Sequence, residues 1–306
     1  MKKIIITAIV SVYMVGSAVA QQVPMYSQYM FNMMNINPAY TGSREVPTTT
    51  ALFRRQWMDL PGAPTSGSIT FDDRVNDRNH SWGAQMYYDK LGIERTTGVQ
   101  GFYSYHAPFE KATLSLGMSF GMLNYSLNRN RTNPYDQGDP SLQSSISKVL
   151  PTAGFGALLA GERWYVGLSA PALLKTRIMN DGTSIVRQAG ADGHYFLTAG
   201  YVIPMSEAVT IKPSTLIKAV SGAPIQVDLN MNVWVNNTIG FGASYRTATS
   251  IVGLLELRVS DDLRLGYAYD HGSSKHLTYA AGTHEFMLRH ELGGKQGKKI
   301  ISPRFF

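Results

Sequence analysis

Residues 114–122 read Leu114-Ser115-Leu116-Gly117-Met118-Ser119-Phe120-Gly121-Met122. Every even position is apolar, and every odd position is serine or glycine. A strand sends successive side chains to opposite faces, so this stretch has one greasy face and one small polar face. The same alternation recurs in Val227, Leu229, Met231, Val233 and Val235 against Asp228, Asn230 and Asn232. It recurs again in Ile239, Phe241, Ala243 and Tyr245, and in Leu263, Leu265, Tyr267 and Tyr269. Weaker versions at 48–58, 65–72, 81–89, 95–107, 152–160, 163–170, 194–203, 208–218, 250–259 and 283–291 bring the expected number of strands to about fourteen.

The connections fall into two kinds. Asn236-Asn237 and Asp261-Asp262 are tight turns, and Pro61-Gly62 and Ser221-Gly222 are further turn signals. The stretches 125–150 and 171–193 are long. A membrane barrel has short turns at one rim and long loops at the other, and this sequence fits that plan.

A soluble β-sandwich would turn its apolar face to a core and carry charge on the other. Here the second face is Gly, Ser, Thr and Asn, with Lys and Glu scarce in mid-strand. That suits a lumen, with the apolar face toward lipid. Trp57, Trp82, Tyr87, Tyr88, Trp164, Tyr201, Tyr245, Tyr267 and Tyr269 sit near strand ends, where an interfacial girdle is expected. The expected fold is therefore all-β: a transmembrane outer-membrane barrel of antiparallel strands. Its long loops should be extracellular, and its short turns and termini periplasmic.

The first twenty residues read as an address. Lys2 and Lys3 precede an apolar run from Ile4 to Val15, and Ala18-Val19-Ala20 places small residues where signal peptidase needs them. Cleavage between Ala20 and Gln21 is expected. Beyond it no stretch approaches the roughly 20 apolar residues of a membrane-spanning helix. The chain of 306 residues is 44% hydrophobic and 16% charged and has no Cys, which rules out disulfides, thiolate sites and lipoprotein acylation. Its net charge of +7 includes the two leader lysines, so the remaining excess is too small and scattered to imply nucleic acid.

Residues that resemble chemistry have plainer readings. Gly117-Met118-Ser119-Phe120-Gly121 matches a nucleophile elbow, but the elbow needs a strand-to-helix turn and this lies mid-strand. His284-Glu285 and His290-Glu291 carry ligand types, yet the histidines are six apart, not four apart on a helix. On a strand they divide, His284, Phe286, Leu288 and His290 on one face and Glu285, Met287, Arg289 and Glu291 on the other. Gly154-Phe155-Gly156 and Gly240-Phe241-Gly242 read as strand glycines that admit close neighbours. Asp72, Asp73 and Asp77 read as a solvated turn, and Lys295, Lys298, Lys299 and Arg304 as a basic tail. No catalytic, metal or cofactor site emerges, and the chain is expected not to be an enzyme.

The stretch from Gln21 to Gly42 is different in kind, dense in Met, Tyr and Asn. Met25, Tyr26, Tyr29, Met30, Phe31, Met33 and Met34 make one apolar surface if 25–34 turn helically. Asn37-Pro38 then breaks the turn, because the residue before proline avoids the helical region. Met25, Tyr26, Tyr29, Met30, Phe31, Asn37, Pro38, Ala39 and Tyr40 are candidates to plug the lumen or to hold a partner, since a Met-rich surface adapts to either. The expected divisions are 1–20 as leader, 21–46 as this segment, 47–292 as barrel and 293–306 as a basic tail ending in Phe-Phe.

The run Pro24-Met25-Tyr26-Ser27-Gln28-Tyr29-Met30-Phe31-Asn32, followed by Asn35-Ile36-Asn37-Pro38-Ala39-Tyr40-Thr41-Gly42, resembles the mature N-terminus of the PorP/SprF family. Arg54-Arg55-Gln56-Trp57, Pro64-Thr65, Gly282-Thr283-His284-Glu285 and the closing Ser302-Pro303-Arg304-Phe305-Phe306 extend the likeness along the chain. The resemblance implies an outer-membrane protein of Bacteroidota associated with type IX secretion and gliding motility. It also implies protein partners: the periplasmic ring and lipoproteins of that machinery, and cargo such as adhesins with a C-terminal sorting domain. It carries over no catalytic residues and no cofactor. The alternative function on the same barrel is a channel or transporter for small solutes or lipids.

Overall fold

The computed structural model describes residues 25–75, 79–128, 145–174, 177–178, 187–188, 193–220, 223–247, 249–272 and 282–292. The leader, the residues around Asp77, the turn at Ser221-Gly222 and the basic tail lie outside these.

Fourteen strands form the wall: β1 Thr48–Arg55, β2 Thr65–Arg74, β3 His80–Leu91, β4 Glu94–Pro108, β5 Ala112–Leu127, β6 Ile146–Gly161, β7 Trp164–Ala170, β8 His194–Tyr201, β9 Val209–Val220, β10 Gln226–Val235, β11 Ile239–Arg246, β12 Ser250–Arg258, β13 Leu263–Gly272 and β14 Thr283–Glu291. Each pairs antiparallel with its sequence neighbours. β14 pairs with β1, from Thr48↔Glu291 to Arg55↔His284, and this closes the cylinder. Closure leaves no strand edge unpaired, the condition for crossing lipid in β structure. Short extensions stand outside this count, Ile203–Pro204 on β9 and a two-residue ladder pairing 177–178 with 187–188.

All fourteen expected strands are present, with adjusted ends. The first stops at Arg55, because Trp57 adopts a φ of 45° and turns the chain out of the sheet. β5 and β6 run further than alternation indicated, since Tyr125 pairs with Lys148 and Leu127 with Ile146. Asn236 and Asn237 have φ of 51° and 53°, the pair of positive values a type I′ hairpin needs. An even strand count puts the ends of the barrel domain and the short turns at one rim. The long connections after β5, β7 and β13 stand at the other.

The faces are assigned as alternation predicts. Leu116, Met118, Phe120 and Met122 are exposed on the outer wall, while Ser115 and Ser119 are buried inside. In lipid that outer surface is the buried one. Tyr88, Tyr201, Tyr245, Tyr267 and Tyr269 face outward with Trp82 and Trp164, but Tyr87 does not belong to a girdle. It points inward, with its ring against Gly98, because it follows an outward Met86. Asp72 is also not in a turn. It lies in β2 and faces the lumen, where it accepts a hydrogen bond from the Gly42 amide at 2.8 Å.

Candidate functional site: the segment inside the barrel

Residues 25–44 run through the interior of the cylinder. Asn32 interrupts the helical turn expected over 25–34, so the chain makes separate 3-10 turns at Tyr29–Phe31 and Met33–Asn35. Asn37 is extended, at φ −136° and ψ 113°, as its proline neighbour dictates, and Pro38–Tyr40 forms a third turn. Tyr26, Tyr29, Met30, Phe31, Met33, Met34, Ile36, Ala39 and Tyr40 are all buried. Instead of one apolar stripe, the segment presents apolar side chains all round. Of the candidate residues only Met25 stays half-buried.

The direction of the segment follows from its contacts. Ser27 and Gln28 sit near the long-connection ends of β1 and β14. There their backbone amides donate to the two carboxylate oxygens of Glu285 at 2.7 and 2.8 Å. Gly42 sits beside Asp72 near the other rim, and β1 starts from there. From residue 25 the segment thus crosses the lumen from the long-loop side to reach the first strand, so the N-terminal end of the described chain lies at the long-loop rim and not, as expected, with the short turns.

Two charged networks grip it on the way. In the first, Arg54 pairs with Glu285 at 3.1 Å and Asp270 at 3.0 Å, and Arg246 joins Asp270 to Asp228. Ser27 Oγ also donates to Asp270. In the second, Arg289 pairs with Glu256 at 2.8 Å and with Glu291 at 3.1 Å, while Arg44 approaches Glu291. The Phe31 carbonyl accepts from Arg44 at 2.9 Å and Arg289 at 3.2 Å. Buried charges persist only when paired and hydrogen-bonded, and here the segment's own backbone supplies part of the pairing. Glu285, Arg289 and Glu291 are the inward row expected from the spacing of that strand, with His284 outward and bonded to Tyr267.

The far end of the segment is seated by shape. Asn37 Oδ1 accepts from the Ala39 amide at 2.9 Å, and its Nδ2 donates to the carbonyls of Ala157 and Leu168 on β6 and β7. Beneath Asn37, Pro38 and Ala39 lie Gly117 of β5 and Gly156 of β6, where any β-carbon would overlap the segment. The apparent nucleophile elbow is therefore a seat for backbone. Asn230 Nδ2 donates to the Tyr29 hydroxyl at 2.6 Å, which ties the segment to β10.

One cluster escaped sequence reasoning. His106 bridges Ser81 Oγ at 2.8 Å and Ser115 Oγ at 2.7 Å, all three buried on β3, β4 and β5. The alternation Phe102-x-Ser104-x-His106 was the available signal, since it puts His106 inward. Both ring nitrogens meet hydroxyls, so the cluster has the geometry of an interstrand tie. Among the described residues no group of three or more His, Cys, Asp or Glu is placed to hold a metal ion.

The closed meander, its apolar outer band and its occupied lumen define an outer-membrane β-barrel. The chain belongs to the PorP/SprF family: the family described as type IX secretion system membrane protein PorP/SprF matches residues 18–290. No curated protein matches the chain. Solved structures of similar shape include Omp33 of Acinetobacter baumannii, 8% identical with a TM-score of 0.47 over 81% of this chain and 98% of that one. A FadL homologue of Pseudomonas aeruginosa is 11% identical with a TM-score of 0.47 over 90% and 95% of the two chains. The translocator domain of the autotransporter NalP from Neisseria meningitidis is 12% identical with a TM-score of 0.42 over 80% and 85%.

Proposed function

We propose that this barrel is a non-enzymatic anchor and receptor in type IX secretion, binding the machinery on one side of the membrane and a secreted cargo's sorting domain on the other. Family membership supplies the secretion context. The observation that favours binding over solute flux is the lumen, which the chain's own residues 25–44 occupy with buried contacts to both halves of the wall. An occupied barrel suits the holding of proteins at its rims. In this reading residues 1–20 direct export and are removed before Gln21. Residues 21–46 act as a plug, and a partner meets it at the long-loop end, where Met25 is half-exposed. The short-turn rim faces the periplasmic ring and its lipoproteins.

The test is affinity purification of the tagged protein from detergent-solubilised outer membrane, read by mass spectrometry. Recovery of sorting-domain cargo or ring lipoproteins is the expected result. Barrel alone, together with steady ion conductance in planar bilayers, would replace this reading with a solute or lipid channel.

A further inference from the structure

The outer wall carries a feature that neither the lumen nor the secretion role uses. Around the seam of β1 and β2 lies an apolar groove of about 860 Å³, flanked by Phe53, Ile69, Met86, Leu255, Phe286 and Leu288. All six face outward, and the wall is lowest where Ala51 and Gly67 leave least side chain. Above the groove, at the long-loop ends of the strands, runs a row of cross-strand partners. His284 pairs with Arg55, Arg55 with Thr65, Thr65 with Lys90 and Lys90 with Arg95. Their strand alternation turns all five outward. The acids of these strand ends, Asp89, Glu94 and Glu285, alternate to the lumen side. Arg55, Lys90 and Arg95 make no ion pair among the described residues, and Arg95 lies over the Tyr88 ring at 5.8 Å.

We propose that this face binds a phosphorylated, multiply acylated glycolipid of the lipid A type, its chains in the groove and its phosphates on Arg55, Lys90 and Arg95. Three arguments select that occupant. The cations stand at the extracellular interface, where an anionic headgroup meets apolar chains. They span three strand spacings, roughly 14 Å, which is too wide for one phosphate and suits a headgroup with two. The groove has the volume of a built ligand site, and its lining is apolar, which accepts chains and rejects a polar headgroup. This goes beyond the secretion reading and does not depend on it.

The experiment uses the full mature barrel in detergent, with native mass spectrometry against bisphosphoryl lipid A, phosphatidylglycerol and phosphatidylcholine. Wild type is expected to retain one lipid A in preference to either phospholipid. The triple variant Arg55→Gln, Lys90→Gln, Arg95→Gln is expected to lose about a hundredfold in affinity, since each cation near an anionic lipid surface contributes roughly a factor of five. Gly67→Leu fills the floor and should also expel the lipid. The backbone admits a β-carbon there, which meets only the Leu52 carbonyl at 3.7 Å, and the rest of the leucine extends outward from the wall. Heat-modifiable gel mobility checks that each variant remains a barrel. Unchanged lipid A retention in folded variants overturns the proposal, as does equal retention of phosphatidylglycerol, which would mark a nonselective anionic surface.

Discussion

The carboxamide of Asn37 lies directly over Gly156, and a β-carbon at that glycine would overlap Asn37 Oδ1. One residue is in the irregular N-terminal segment and the other in mid-strand on the wall, so the strand's lack of a side chain is a complement to the segment. The fit extends to Gly117, whose missing β-carbon makes room for the Pro38–Ala39 peptide.

Gly117→Val or Gly156→Val should therefore unseat the segment without altering the strand pattern. Overpacking of this kind costs about 1–3 kcal/mol. The unfolding temperature on heat-modifiability gels should fall, and protease should reach residues 25–44. Gly253→Ala is the control, since a β-carbon there meets nothing within 4 Å.

Asn37 can be tested by chemistry rather than size. Asn37→Ala removes an acceptor and two donated bonds, at about 1–3 kcal/mol for the groups left unpaired. Asn37→Asp keeps the acceptor toward Ala39 but sets a carboxylate against the carbonyls of Ala157 and Leu168. The aspartate variant should be the less stable of the two. The reverse order would mean that the contacts to β6 and β7 contribute little.

Glu285 holds two backbone amides of the segment and one guanidinium. Glu285→Ala leaves Arg54 with Asp270 alone and two backbone amides without their acceptor, at about 1–3 kcal/mol for each group left unpaired. Planar-bilayer recordings should show current bursts absent from the wild type as the segment loosens. Arg54→Ala should cost less in this background than in the wild type, because its bond to Glu285 is already gone.

The absence of cysteine permits clean single-site labelling. Met25→Cys, half-buried at the long-loop end, should react with an impermeant maleimide added to intact cells. Ala39→Cys, at 0% exposure, should react only after unfolding. Labelling of position 25 from the periplasmic side alone would reverse the orientation assigned to the segment.

Much of the wall was legible because period-two alternation is a local property. Leu116, Met118 and Phe120 announce one face and Ser115 and Ser119 the other, whatever the partner strands. The turn at Asn236-Asn237 was equally legible, since few residues accept positive φ at both central positions. Tyr87 and Asp72 were misplaced because composition was read there in place of alternation: a Tyr near a strand end suggests a girdle, and an Asp run suggests a loop. Strict parity assigns both inward. The Ser81–His106–Ser115 tie was hidden for another reason, as it joins three strands whose register depends on the hairpins between them.

The sequence by itself determined a barrel of fourteen antiparallel strands, the identity of its faces and the singular character of residues 21–42. Each of these rests on neighbours a few positions apart. Only the tertiary structure decided that the segment runs inside, that Gly117 and Gly156 are its seat, and that Arg55, Lys90 and Arg95 form one row. Those relations join residues up to 258 positions apart, as between Ser27 and Glu285. They are fixed by the registers of the hairpins together with the closure of β14 on β1, which joins the two ends of the barrel without any turn between them.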